Sequence, residues 1–152
     1  MGVRDEWTAE GKRFLKELEE LTKLEVRVGF QVGEAEHDGV DMTDIAMWNE
    51  LGTRHIPPRP FLRQSIDGNE GKIKKMCEAQ LQAIAKGGTA EDALNAIGVM
   101  HKGLVQETIA KGSFAPNAPS TIKRKGSSKP LIDTGRMRQS VNFVIQPKGQ
   151  GD

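Results

Sequence analysis

The chain has 152 residues, 36% hydrophobic, 5% aromatic and 28% charged, with a formal net charge of +1. That length suits one domain able to bury a core. No apolar run approaches the roughly 18 residues of a membrane span, no signal-peptide core opens the chain, and the near-zero net charge argues against a surface wholly given to nucleic acid.

Trp7, Phe14, Leu18 and Leu21 recur at helical spacing, which predicts an amphipathic helix over 5–22. LEVRVGF then alternates, with Leu24, Val26, Val28 and Phe30 on one face, the pattern of a half-buried strand. Residues 31–41 read as a flexible loop or the extension of a hairpin. A short helix follows from Thr43, carrying Ile45, Ala46 and Trp48, with Gly52 placed to end it in a left-handed turn.

Thr53 to Arg59 form a proline corner, because Pro57-Pro58 fixes two φ angles and extends the residue before each proline. Pro60 suits the first turn of the next helix. That helix runs to Lys86, with Leu62, Ile66, Ile73, Cys77, Leu81 and Ile84 as its apolar face and a break expected near Gly68 and Gly71. Gly87-Gly88 turns the chain into a helix opened by a capping-box pair, Thr89 and Asp92, with Ala93, Ile97, Met100 and Leu104 as its buried stripe. The two form an antiparallel pair. Residues 112–130 are a polar loop rich in Pro, Gly and Ser. Asp133-Thr134-Gly135 starts a short turn or helix, SVNFVIQ is a closing strand, and the end of the chain is free.

The fold class is therefore α+β: a small, mostly antiparallel sheet packed against several helices, including a long antiparallel helix pair. A single domain covers 1–147, followed by a flexible tail over 148–152.

Little in the sequence suggests chemistry. His37, His55 and His101 lack metal-ligand spacing. Cys77 is the lone cysteine, which leaves no internal disulfide or thiolate cluster, points to a reducing intracellular compartment and gives the thiol a packing role. Asp133 is read as a cap-and-turn residue. No nucleophile has a base beside it and no cofactor motif appears, so the expectation is a protein without catalytic, cofactor or metal residues.

Charge is segregated instead. Residues 31–50 hold Glu34, Glu36, Asp38, Asp41, Asp44 and Glu50 with no Lys or Arg, a net −6. Residues 111–138 hold Lys111, Lys123, Arg124, Lys125, Lys129, Arg136 and Arg138 against Asp133, a net +6. Such blocks are either solvated loops or complementary faces of a self-assembling protein.

Two segments carry a resemblance. NELGTRHIPPRPFLRQS, followed late in the chain by KPLIDTGRMRQSV, resembles the neck proteins of tailed bacteriophages. These are variously called tail-completion, head–tail joining or virion morphogenesis proteins. The matching positions are Asn49, Glu50, Gly52, Thr53, Pro57, Arg59, Pro60, Phe61 and Arg63, then Pro130, Leu131, Asp133, Thr134, Gly135, Ser140 and Val141. Leu51 and Met137 depart from the commoner residues and keep an apolar contact. The resemblance implies a non-enzymatic virion component, assembled in the bacterial cytoplasm. It forms a homo-oligomeric ring, a hexamer or dodecamer, at the head-proximal end of the tail. Its neighbours are tail-tube or terminator and connector proteins, and DNA passes transiently through its bore.

On that reading the corner formed by Glu50, Gly52, Thr53, Arg54, Pro57, Pro58, Arg59, Pro60, Phe61 and Arg63 is a preset docking element. Phe61 and Leu62 anchor it, and Glu50 pairs with Arg59 or Arg63 to lock it. Asp133, Thr134, Gly135, Arg136 and Arg138 form a second candidate surface. The acidic residues Glu34, Glu36, Asp38, Asp41 and Asp44 face Lys123, Arg124, Lys125 and Lys129 of a neighbouring copy. Alternatively the corner is a plain helix-to-helix connection. The alternative function is an accessory nucleic-acid binder using the basic segments 54–63 and 123–138.

Overall fold

The computed structural model describes residues 7–112, 114 and 135–150. Among these residues six helices and two small antiparallel sheets make an α+β fold.

Helix α1 spans Ala9–Lys23. Thr8 is its N-cap, accepting from the Gly11 N–H at 3.0 Å, which satisfies one of the orphan donors of the first turn. The cap moves the helix start later than the spacing suggested. Trp7 precedes the cap and is 57% exposed, while Phe14, Leu18 and Leu21 are half-buried. Strand β1, Leu24–Gly29, pairs with a late strand, Asn142–Pro147, so that Leu24 faces Pro147 and Gly29 faces Asn142. The first and last strands thus close the sheet.

Residues 31–41, expected as a flexible loop or the extension of a hairpin, are part loop and part hairpin. Loop and turn hold 31–35, and 36–41 make a separate hairpin, β2 (Glu36–His37) and β3 (Val40–Asp41). Asp38 and Gly39 both take positive φ, 52° and 79°, as a two-residue Asp-Gly turn between antiparallel strands requires. Asp41 then caps α2 (Met42–Leu51), accepting from the Thr43 N–H at 2.8 Å and from the Gly33 N–H at 2.7 Å. One carboxylate starts the helix and fastens the preceding loop, and the two amides, Gly33 first, hold its pKa below 3.8.

The helix expected over 60–86 is two, α3 (Phe61–Asp67) and α4 (Glu70–Ala85), parted at Gly68 and Asn69. The buried side of α4 is Ile73, Met76, Gln80 and Ile84, whereas Cys77 and Leu81 are exposed. The expected stripe steps by four residues to Cys77 and again to Leu81, each step turning about 40° past the buried face, so the packing role for Cys77 is corrected. Helix α5, Ala90–Lys111, begins at Thr89, whose side chain accepts from the Asp92 N–H at 3.1 Å. Its fully buried residues are Ala90, Ala93, Leu94, Gly98, Leu104, Val105 and Ile109. Ile97 and Met100 of the expected stripe are only half-buried. A Cβ at Gly98 would overlap the Phe143 ring, so glycine is what lets the closing strand approach α5.

Helix α1 fastens the α4–α5 turn. Arg13 donates to the carbonyls of Ile84 and Gly88 at 2.6 and 2.9 Å, and Glu17 accepts from the Ala90 N–H at 2.8 Å. A cation thus meets the C-terminal carbonyls of one helix and a carboxylate the N-terminal N–H of the next, each with the favourable sign of the helix dipole.

Helix α6, Arg136–Ser140, follows Gly135 at φ 74° and leads into β4, Asn142–Pro147. The chain end expected to be free is tied back as far as Gln150: the Lys148 N–H donates to the Lys23 carbonyl at 2.9 Å, and the Gln146 amide reaches the Gln150 carbonyl. The core is a cluster of Met42, Ala46, Phe61, Val105, Ile109, Met137 and Val141. Phe30 packs edge-on to Phe61 at 5.9 Å between centroids. Among the described residues no helix is long and apolar enough to cross a membrane.

Candidate functional site

The corner begins where α2 ends. The Gly52 N–H donates to the Trp48 carbonyl at 2.9 Å, and Gly52 adopts φ 77°, ψ 167°. The expected left-handed turn is therefore replaced by a positive φ with an extended ψ, a region essentially reserved for glycine. A Cβ here would lie 2.9 Å from the Pro58 nitrogen and 3.1 Å from the Ile56 carbonyl. Glycine is needed twice over, for its dihedral and for its bulk.

Thr53 closes the next turn on itself. Its N–H donates to the Ile56 carbonyl at 2.8 Å, while its hydroxyl accepts from the His55 and Ile56 N–H groups at 3.2 and 3.0 Å. Pro57 and Pro58 follow, both exposed. Pro60 is not in the first helical turn. It sits at the N-cap with φ −76°, ψ 66°, and the Phe61 N–H donates to the Arg59 carbonyl at 2.7 Å. These values describe an inverse γ-turn, which swings Phe61 into the core, where it is fully buried.

The lock differs from the expected one. Glu50 accepts from the backbone N–H groups of Leu62 and Arg63 at 2.8 and 3.1 Å. Pro60 has no side chain able to cap α3, so a carboxylate from the previous helix supplies the cap at the positive end of the helix dipole. Arg63 points outward to Asp67 at 3.4 Å. Arg59 turns inward and is 9% exposed. Its backbone N–H donates to the Asn49 carbonyl at 2.5 Å and its Nη1 to Asn49 Oδ1 at 3.3 Å. Burial lowers its pKa, yet a guanidinium keeps its proton in proteins. The exposed crest is therefore Thr53, Arg54, His55, Pro57, Pro58 and Arg63, with Arg59 as its inner strut.

The two segments that carry the resemblance meet. Phe61 from the first belongs to the same core cluster as Met137 and Val141 from the second. Arg136 extends from this junction to the β2–β3 hairpin, donating to the Glu36 carbonyl at 2.6 Å. Arg138 is exposed, and its carbonyl accepts from Gln106. A polar cleft of about 610 Å³ lies between hairpin, α5 and α6, with Glu34, Glu36, Lys102, Arg136 and Gln139 on its walls. Within one chain, then, part of the basic block already lies beside the acidic hairpin. Glu34, Glu36, Asp38 and Asp44 are exposed, whereas Asp41 and Glu50 are committed to backbone N–H groups. Lys123, Arg124, Lys125, Lys129, Asp133 and Thr134 fall outside the described residues.

Sequence reasoning missed a polar pair on α3 and α5. Ser65 is fully buried and donates to the Leu62 carbonyl at 2.6 Å; its hydroxyl lies 3.3 Å from His101 Nε2. With the Ser65 proton so used, the His101 ring is the donor between them, and burial lowers its pKa from 6.5. A fully buried serine bonded this way serves packing. Among the described residues no group of three or more His, Cys, Asp or Glu is placed to hold a metal ion. No family model, curated protein or solved structure matches this chain.

Proposed function

We propose that this chain is a structural virion protein that forms a ring at the head-proximal end of a phage tail, completing the tail and joining it to the connector. The observation that carries the reading is the construction of the corner. An exposed, proline-set crest is braced from beneath by Glu50, Arg59 and Phe61. A loop held in one shape before binding loses less entropy on docking, which suits a joint between protein layers. The crest takes its exposed cations from Arg54 and Arg63. The acidic 31–50 and basic 111–138 segments supply the unlike faces that a head-to-tail ring needs.

Electron microscopy and native mass spectrometry of the purified chain test the ring directly. Pro57→Ala with Pro58→Ala is expected to leave the fold intact and impair joining; loss of folding would make the corner a mere connection. Replacing Lys123, Arg124 and Lys125 by Glu is expected to weaken assembly. Salt-sensitive retention of bare DNA by a monomeric chain would favour the nucleic-acid reading instead.

A further inference from the structure

We propose that the outward face of α2, with the apolar hollow beside it, is where a second copy of this chain docks. This rests on the ring reading and names the contact that builds the ring. Helix α2 is apolar on two sides. Met42 and Ala46 are in the core, yet Met47 is 49%, Trp48 38% and Leu51 72% exposed. Clustered exposed apolar side chains mark interaction surfaces. Between α2 and α3 lies a hollow of about 260 Å³ lined by Phe30, Thr43, Ala46, Met47, Glu50 and Leu62. Ile66, one turn beyond Leu62, is 47% exposed and extends the same surface.

Charge selects the occupant. Asp44 shares the outward side of α2 with Met47, Trp48 and Leu51, and Glu34, Glu36 and Asp38 stand exposed on the segment before it. No Lys or Arg occurs from residue 31 to 50. A partner must therefore bring an apolar centre and a cationic rim. This chain carries cations on other faces: Lys72, Lys75 and Lys86 share the exposed side of α4, and Arg138 is exposed on α6. A second copy supplies those cations without any foreign protein. Because the acidic and basic faces are different, the contact is head-to-tail, the kind that generates a ring when the rotation between copies closes.

The test uses the full chain, by native mass spectrometry and light scattering over a range of concentration. The wild type is expected to assemble. Met47→Glu and Leu51→Glu should give monomers with unchanged helical circular dichroism, since both residues are exposed. Asp44→Lys should weaken assembly at least about tenfold, with Lys75→Glu acting in the same direction. In a Trp7→Phe background Trp48 is the sole indole, and its emission should shift to the blue on assembly. Oligomers that persist unaltered in Met47→Glu and Leu51→Glu would overturn this face while leaving the ring standing. A wild type that stays monomeric throughout would overturn both. Retention of a monomeric wild type on phosphatidylcholine vesicles, lost in Leu51→Glu, would give the face to a lipid surface instead.

Discussion

Between α2 and α3 the chain turns through the Gly52–Pro60 corner, and between α4 and α5 it turns through Gly87–Gly88. Each turn delivers a helix whose first N–H groups meet a glutamate from another helix: Glu50 bonds Leu62 and Arg63, and Glu17 bonds Ala90. The difference is reach. Glu50 lies twelve residues before Leu62, so the corner carries its own lock and is stiff by local means. Glu17 lies 73 residues before Ala90, and Arg13 is as remote from Ile84, so these braces reach the second turn only after α1 has docked, on top of its own Gly87 and Gly88 N–H bonds to Ile84 and Ala83. A local lock suits an element that must present one shape to a partner. A remote lock suits one that holds the domain together.

The severest test of this contrast removes the corner's anchor. Phe61→Ala empties a fully buried site and is expected to destabilise the protein by about 3–5 kcal/mol in denaturant unfolding. Glu50→Ala comes next, at about 2 kcal/mol, because it orphans two N–H groups of a helix with no other side-chain cap. Glu17→Ala should cost about 1 kcal/mol, since Thr89 still caps α5. A larger loss from Glu17→Ala than from Glu50→Ala would reverse the ranking and break the argument.

The smallest expected effect is a pH slope. The His101 pKa is held below 6.5 by burial, so the unfolded chain binds the proton more readily. Its contribution is complete above pH 6.5 and is lost as the pH falls through that value. His101→Gln should flatten stability measured between about pH 7 and 5. Asp41, held below 3.8, acts with the same sign at lower pH: its contribution is present above that value and lost below it.

What the sequence disclosed follows the same division by distance. Thr89, Gly52, the break at Gly68 and the alternation of β1 are local signals, set by dihedral and capping rules that act within a few residues. The corner was legible for that reason, down to Phe61 as its anchor. Its lock was misassigned because a glutamate near two arginines suggests an ion pair, whereas the uncapped N–H groups behind Pro60 compete for the same carboxylate. The α4 stripe departs from the buried face because two steps of four residues, to Cys77 and Leu81, overshoot the helical turn. Arg13, Glu17 and the Ser65–His101 pair left no local trace, because their partners lie 36 to 75 residues away. The seating of Phe143 over Gly98 was hidden likewise, since a glycine inside a helix signals weakness before it signals a close neighbour.

Pairing of β1 with β4 also sets the order in which the described elements can come together. Strand β4 follows β1 only after all five intervening helices and the β2–β3 hairpin, so the sheet forms once those elements have been synthesised. A copy cut short before residue 142 keeps its α4–α5 hairpin but leaves the edge of β1 bare and the notch at Gly98 empty. A copy that reaches β4 covers that edge and fills that notch together, because one strand does both.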